Sequence, residues 1–286
     1  MRILVSGARG FVGSALAASL AAAGHDIWHG VRRVRGARDV LLDYTRPFDK
    51  QAWRERLGQF DAVVNAVGIL VESGRQSFAS LHHEGPVRLF EAAAAAGVRR
   101  VLQVSALGAA TGDTPYFRSK LAADRRLMEL PLAWQILRPS LIYGPAGDSA
   151  KMFRLLARLP LVPLPAGGHQ AVQPVHIDDL CAAALRLIDP ATQPQQCIDA
   201  VGAQPLEYRE MLAAYRRSLG HAPALPLHVP GVLVALAAQT LGRLPGVILT
   251  PDNWRMLQAG STADPAPFAA LLGRDPLPID QFIGRR

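Results

Sequence analysis

Residues 3–13 read Ile3-Leu4-Val5-Ser6-Gly7-Ala8-Arg9-Gly10-Phe11-Val12-Gly13. The first three are a short continuous apolar run, the pattern of a strand buried on both faces. Glycine then recurs at every third position, and a helical pattern runs over 11–23 and stops at Gly24. A strand, a glycine turn and a helix in that order are what a dinucleotide phosphate needs. Glycine lets the backbone turn sharply and come close to a pyrophosphate. The helix start presents unpaired N–H groups and a partial positive charge. The bland alternative is a tight turn with no ligand.

Outward from this turn, strand patterns recur at 26–31, 40–42, 62–66, 100–104 and 134–137. Helical patterns at 77–96 and 116–130 lie between the later ones. Strands alternating with helices of this length imply parallel pairing through helical crossovers. The fold expected is α/β, a doubly wound parallel (Rossmann) sheet, with a smaller, mainly helical C-terminal subdomain. After Pro139 the pattern turns irregular and richer in proline, and 178–188 reads as a late helix capped near Asp178 or Asp179. We therefore expect a dinucleotide-binding domain over 1–144 plus about 173–204. A substrate or partner subdomain is expected over 145–172 and 205–286.

The composition fits a folded soluble chain: of 286 residues, 50% are hydrophobic and 19% charged. Two cysteines, Cys181 and Cys197, can make neither a disulfide framework nor a zinc cluster, which fits a reducing, cytoplasmic setting. The formal charge is +8, but the basic residues are scattered singly or in pairs and aromatics are only 6%, so a nucleic-acid partner is not expected. Residues 1–6 are too short and strand-like for a signal peptide. The most apolar stretch, 229–250, is interrupted by Pro230, Gly231, Arg243, Pro245 and Gly246 and is no membrane span. Internal packing is its plain reading; a peripheral membrane or partner-facing surface is the other.

The strand over 26–31 ends Gly30-Val31-Arg32-Arg33, where an NAD site usually carries an acid for the ribose hydroxyls. Arg9 sits directly before the second glycine of the turn. Arginine suits a 2′-phosphate by charge and fork geometry, so NADP(H) is expected over NAD(H), which stays open. Solvated surface charge is the competing reading of these arginines.

The strand over 100–104 leads into Ser105, and Tyr116 and Lys120 follow four apart on a predicted helix, sharing a face. Free tyrosine titrates near pH ~10, and a neighbouring ammonium favours the phenolate. Tyr116 is thus the candidate acid/base, Lys120 its tuner and a ribose ligand, and Ser105 the group that holds a substrate oxygen. Only three of the 31 basic residues are lysine, which singles out Lys120 a little further.

With these pieces the sequence resembles the extended and atypical short-chain dehydrogenase/reductases, related to the NAD(P)-dependent epimerases and dehydratases. Three further stretches carry the resemblance. They are Asn65-Ala66-Val67-Gly68, the run Leu137-Arg138-Pro139-Ser140-Leu141-Ile142-Tyr143-Gly144-Pro145, and Pro174-Val175-His176-Ile177-Asp178-Asp179-Leu180. Residues 61–109 look closest to the branch of the complex I NADPH-binding accessory subunit, whose best-known member is thought to hold its nucleotide without turnover. The resemblance implies that Gly7, Arg9, Gly10, Phe11, Val12, Arg32, Arg33, Asp43, Ala66, Val67, Gly68, Tyr116, Lys120, Pro139, Leu141 and Ile142 bind the cofactor. Asp43 would lie near the adenine.

The implied activity is hydride transfer to or from a small carbonyl, alcohol or nucleotide-linked substrate. The alternatives are a non-catalytic NADP(H)-binding subunit or assembly factor of a membrane complex, and a nucleotide-sugar epimerase or dehydratase. The last is weakened because Ala106-Leu107-Gly108 follows Ser105 where such sites place another hydroxyl. His82 and His83 carry no metal spacing, so no metal is expected. Monomer and homodimer both stay open, and residues 205–286 carry no readable motif.

Overall fold

A computed structural model describes residues 1–46, 49–242 and 247–284. Its first half runs β1 (Arg2–Ser6), α1 (Phe11–Ala22), β2 (Asp26–Val31), β3 (Asp39–Leu41), α2 (Lys50–Leu57), β4 (Ala62–Asn65), α3 (Gly85–Ala95), β5 (Arg100–Val104), α4 (Pro115–Met128) and β6 (Ala133–Pro139). Then follow β7 (Ile142–Tyr143), α5 (Asp148–Arg158), β8 (Leu161–Pro165), β9 (Ala171–Val172), β10 (Val175–His176), α6 (Ile177–Ile188), β11 (Gln196–Ala200) and β12 (Leu206–Glu207). The chain ends with α7 (Tyr208–Ser218), β13 (Leu225–Val229), α8 (Gly231–Leu241), α9 (Pro251–Ala259) and α10 (Ala266–Leu272). It divides into two compact units, residues 1–138 with 180–198 and residues 139–179 with 199–286.

The first unit carries the expected doubly wound sheet, in the order β11-β6-β5-β4-β1-β2-β3. β1 pairs in parallel with β2 on one side and β4 on the other. The strand order reverses at β1, so a crevice opens at the carboxyl ends of β1 and β4. Ile3, Leu4 and Val5 are wholly buried, as their unbroken apolar run requires. Leu57, Leu89, Phe90 and Leu127 pack from the helices onto Val63, Val101 and Ile136 of the sheet.

Three elements differ from the sequence expectation. Helix α2 was not anticipated; Asp49 caps it by accepting from the N–H groups of Gln51 and Ala52. β11 adds a seventh strand. The helix expected over 77–96 is two pieces, a π-helical turn Ala79–Glu84 and then α3. Gly85 stands at the junction because the Tyr44 ring occupies its side-chain space: a Cβ there would lie 2.3 Å from Cγ of Tyr44.

The second unit is mainly helical, with three two-stranded ribbons, β7–β10, β8–β13 and β9–β12. Tyr143, Phe153, Tyr208, Tyr215 and Phe282 make its core. His176 is buried, and its Nδ1 accepts the Asp178 N–H at the start of α6. The buried Asp179 accepts from Arg274 Nη2 at 2.5 Å and from the Leu277 N–H at 2.8 Å, tying down the C-terminal stretch. Helix α8 buries Val234 and Ala238 against Trp254, yet Val232 is 80% and Leu236 56% exposed on its outer side. Arg243, Pro245 and Gly246, read as interruptions of the apolar stretch, lie outside the described residues. Among the described residues no helix is long and apolar enough to cross a membrane.

Candidate active site

The glycine turn sits at the carboxyl end of β1. Gly7 has φ +73°, and a Cβ on it would lie 2.9 Å from the Ala66 carbonyl oxygen. The Gly10 N–H donates to the Gly7 oxygen at 2.8 Å. A Cβ on Gly13 would fall 2.1 Å from that same oxygen, so only glycine lets α1 approach the turn this closely. No side chain caps α1 at Gly10, which leaves the first-turn N–H groups at Phe11 and Val12 for an outside acceptor. This cradle, which any side chain would fill, fits a dinucleotide pyrophosphate.

At the end of β2, Arg32 and Arg33 are exposed. Among the described residues neither joins an ion pair. Arg9 is different. Its Nη1 donates to the Arg33 oxygen at 3.2 Å and its Nη2 to Asp39 Oδ2 at 2.5 Å. The Asp39 carboxylate also accepts from the Arg35 and Gly36 N–H groups. The Arg35 N–H, opposed by burial and aided by Gly36 and Arg9, holds the Asp39 carboxyl below its ordinary value. Arg9 is thus held against an internal carboxylate, whereas among the described residues Arg32 and Arg33 have no such partner. Asp43 accepts from the N–H and hydroxyl of Thr45 and pairs with Arg46 at 3.3 Å, closing its own turn.

Helix α4 begins at Thr114, whose hydroxyl accepts the Phe117 N–H. It carries Tyr116 and Lys120 one turn apart. Lys120 is only 3% exposed, and its Nζ donates to the Val104 oxygen at 3.1 Å and the Val67 oxygen at 3.3 Å. Its ammonium therefore bridges the ends of β4 and β5. Burial lowers it to about 8, against the opposing pull of Asp124. Tyr116 is half-buried with Phe78, His82 and Phe117 edge-on around it. Burial pushes its phenol up to about 12. Here the Lys120 ammonium is turned to two carbonyls, and burial is what acts on the phenol.

Ser105 is also placed differently from a free substrate ligand. Its hydroxyl donates to Asp124 Oδ2 at 2.8 Å inside the protein. The same oxygen accepts Nε and Nη2 of Arg138 at 3.2 and 3.1 Å. Burial raises the Asp124 carboxyl, opposed by the Ser105 hydrogen bond and by Arg138. Ser105, Asp124 and Arg138 thus lock β5, α4 and β6 together, and only the lone pairs of Ser105 stay available. Sequence reasoning missed Asp124, although Tyr116, Lys120 and Asp124 recur every fourth residue on one helix face. It also gave His82 no role, excluding only a metal; the structure buries it completely.

Ala66, Val67 and Gly68 follow β4 directly, beside the glycine turn and Lys120. Pro139, Leu141 and Ile142 belong to the second unit. There the Leu141 oxygen accepts the Val175 N–H at 2.9 Å, and Ile142 pairs with Val175. Among the described residues no three His, Cys, Asp or Glu side chains gather as a metal site.

A topological switch point with a glycine cradle is the frame of a dinucleotide-binding protein. Residues 3–198 match the NAD dependent epimerase/dehydratase family, and the chain belongs to it. It is 30% identical over 278 residues to a 3-diazoavenalumate denitrifying reductase of a Streptomyces species, covering 85% of this chain and 88% of that one. It is 25% identical to the ceramide reductase of Caulobacter vibrioides, over 93% and 87% of the two chains. Among solved structures, an Escherichia coli NADPH-dependent quinone oxidoreductase with NADPH superposes at TM-score 0.77 with 18% identity, covering 98% of both chains. A UDP-glucuronic acid 4-epimerase of Bacillus cereus with its substrate and NAD gives 0.72 and 16%, over 98% and 96%.

Proposed function

We propose that this chain is an NADP(H)-dependent reductase of the short-chain type, acting on a small carbonyl or alcohol or a nucleotide-linked substrate. The observation that carries this reading is Lys120, buried one turn from Tyr116 with its ammonium fixed between the ends of β4 and β5. A bound nicotinamide cofactor would supply or accept the hydride. Tyr116 gives the proton: with its phenol at about 12 it is held as a neutral O–H, suited to protonating a substrate oxygen during reduction. Lys120 would hold the cofactor ribose with the N–H left over from Val67 and Val104. Ser105 steadies the site through Asp124, and its lone pairs accept only from the O–H of an alcohol substrate or product, not from a carbonyl.

Arg32 and Arg33, exposed and in no ion pair among the described residues, support NADP(H) over NAD(H). The engaged Ser105 hydroxyl, and Ala106-Leu107-Gly108 beside it, favour reduction over nucleotide-sugar epimerisation or dehydration. The names of the two reductase relatives agree. Tyr116→Phe is expected to lower NADPH oxidation with quinone and aldehyde acceptors by about 10²–10⁴-fold. NADPH affinity, read by fluorescence, should stay within about threefold. Unchanged turnover would overturn the role of Tyr116.

The outer side of α8 favours a second reading, a non-catalytic NADP(H)-binding subunit or assembly factor of a membrane complex of the complex I kind. NADPH binding without turnover, together with a stoichiometric partner recovered from detergent-solubilised membranes, would favour it.

A further inference from the structure

We propose that His82 is a positioning residue of this site, a neutral imidazole fixed in one tautomer that fastens the tyrosine end of α4 to the loop after β4. The inference rests on the reading of Tyr116 as the acid/base.

His82 is wholly buried on the π-helical turn Ala79–Glu84. Such turns recur at functional sites, where they re-aim a side chain. Its Nε2 lies 3.0 Å from the Ile69 nitrogen. A backbone N–H only donates, so Nε2 is the acceptor and the ring proton sits on Nδ1. Nδ1 then donates to Ser119 Oγ at 3.2 Å, and Ser119 Oγ donates to the Tyr116 carbonyl oxygen at 2.7 Å. The hydrogen bonds run one way, from the Ile69 amide to the backbone of Tyr116. The ring also stacks on Phe78, with centroids 5.2 Å apart, and meets the Tyr116 ring edge-on at the same separation.

The loop is fastened a second time. Lys120 Nζ holds the Val67 oxygen. Gly68 lies between the two tethers, and a Cβ on it would be 3.5 Å from Lys120 Nζ and 3.8 Å from His82 Nε2. Adjacent residues of α4, Ser119 and Lys120, thus grip the loop on either side of Gly68, one of them through His82. Both ring nitrogens are taken, and burial with the nearby Lys120 ammonium keeps the ring neutral, its value lowered to about 2. His82 therefore holds geometry and passes no proton on.

The two nitrogens can be removed separately. His82→Asn keeps an amide donor near the Nδ1 position and loses the reach to Ile69. His82→Gln keeps an acceptor near Nε2 and loses Ser119. Ser119→Ala cuts the same limb without touching the imidazole. NADPH affinity is read by fluorescence and kcat by NADPH oxidation with the best acceptor of the quinone and aldehyde panel.

We expect His82→Asn to weaken NADPH at least fivefold, with a smaller loss in kcat. His82→Gln and Ser119→Ala should lower kcat at least fivefold with NADPH affinity within twofold. Nitrogen chemical shifts of the wild-type ring should show the neutral Nδ1–H form throughout pH 5–8. Wild-type affinity and kcat in all three variants would overturn the proposal. So would parallel losses of both that track the melting temperature, or a ring that titrates in that range. Tyr116→Phe is run beside them. If it turns over normally, the acid/base reading fails and the tyrosine limb with it, while the loop limb is still decided by the NADPH affinity of His82→Asn.

Discussion

Arg32 and Arg33 are exposed, adjacent in sequence and, among the described residues, in no ion pair, whereas Arg9, in the same neighbourhood, is held by Asp39. Under the proposed NADP(H) reading, that contrast makes Arg32 and Arg33 the guanidinium groups to test against a 2′-phosphate. Charge-assisted contacts to phosphate are strong and, at an exposed site, sensitive to salt. The double substitution of Arg32 and Arg33 by alanine is expected to weaken NADPH by roughly tenfold or more, about 1.4 kcal/mol or above, and to leave NADH affinity nearly unchanged. Titration with both cofactors at low and moderate salt checks this. Equal loss for the two would mean that these arginines do not read the phosphate. At this scale the sequence was informative where a motif has fixed spacing: Tyr116 and Lys120 share a face because four residues make one turn. It was silent on His82 and Asp124. A buried polar side chain is identified by its partners, here Ile69 and Ser119 for one and Ser105 and Arg138 for the other, and these come from distant strands and loops.

The elements repeat this division. β1 and α1 were legible because an unbroken apolar run, a glycine turn and a helical period leave little freedom. Gly13 shows why the turn admits no other residue. A Cβ there meets backbone, the Gly7 oxygen at 2.1 Å and carbon at 2.6 Å, and backbone cannot step aside as a flexible side chain can. Gly13→Ala should therefore push α1 off the turn and cost about 1–3 kcal/mol of stability, in the range of other overpacked sites. NADPH affinity should fall with it. A melting temperature and affinity equal to wild type would show that the close approach is dispensable. Helix α2 was missed because it is short and polar, and buries chiefly Trp53 and Leu57, four residues apart. The π-helical turn was missed for a different reason. Its sequence continues the helical pattern of α3, and only the packing of Tyr44 against Gly85 and the bonds of His82 mark the change of register.

Taken whole, the chain shows one unit that motifs describe from its first strand onward and a second that they describe only over 139–145 and 174–179. The second unit builds its core from Tyr143, Phe153, Tyr208, Tyr215 and Phe282, residues far apart in sequence whose meeting no local period announces. Folding stability reads the first unit through its buried titratable groups. His82 is neutral in the folded chain down to about 2, whereas its ordinary value is 6.5. Between those limits the unfolded chain binds a proton that the folded one does not, so stability falls as pH falls below 6.5. The slope approaches about 1.4 kcal/mol per pH unit, or about 2 kcal/mol accumulated by pH 5. Lys120 acts in the same direction at the other end. Lowered from 10.5 to about 8, it lets the unfolded chain keep a proton that the folded one has released, so stability rises with pH through that window. Tyr116, raised from 10.0 to about 12, opposes it, since only the unfolded chain ionises there and stability is lost from pH 10 upward. The acid limb isolates one residue. His82→Asn removes the group that must stay neutral, so its unfolding free energy, measured in urea at pH 7 and pH 5, should fall about 2 kcal/mol less than that of the wild-type chain. Parallel pH profiles would mean that His82 takes up a proton within the folded protein, and the fixed Nδ1–H tautomer would fall with that result.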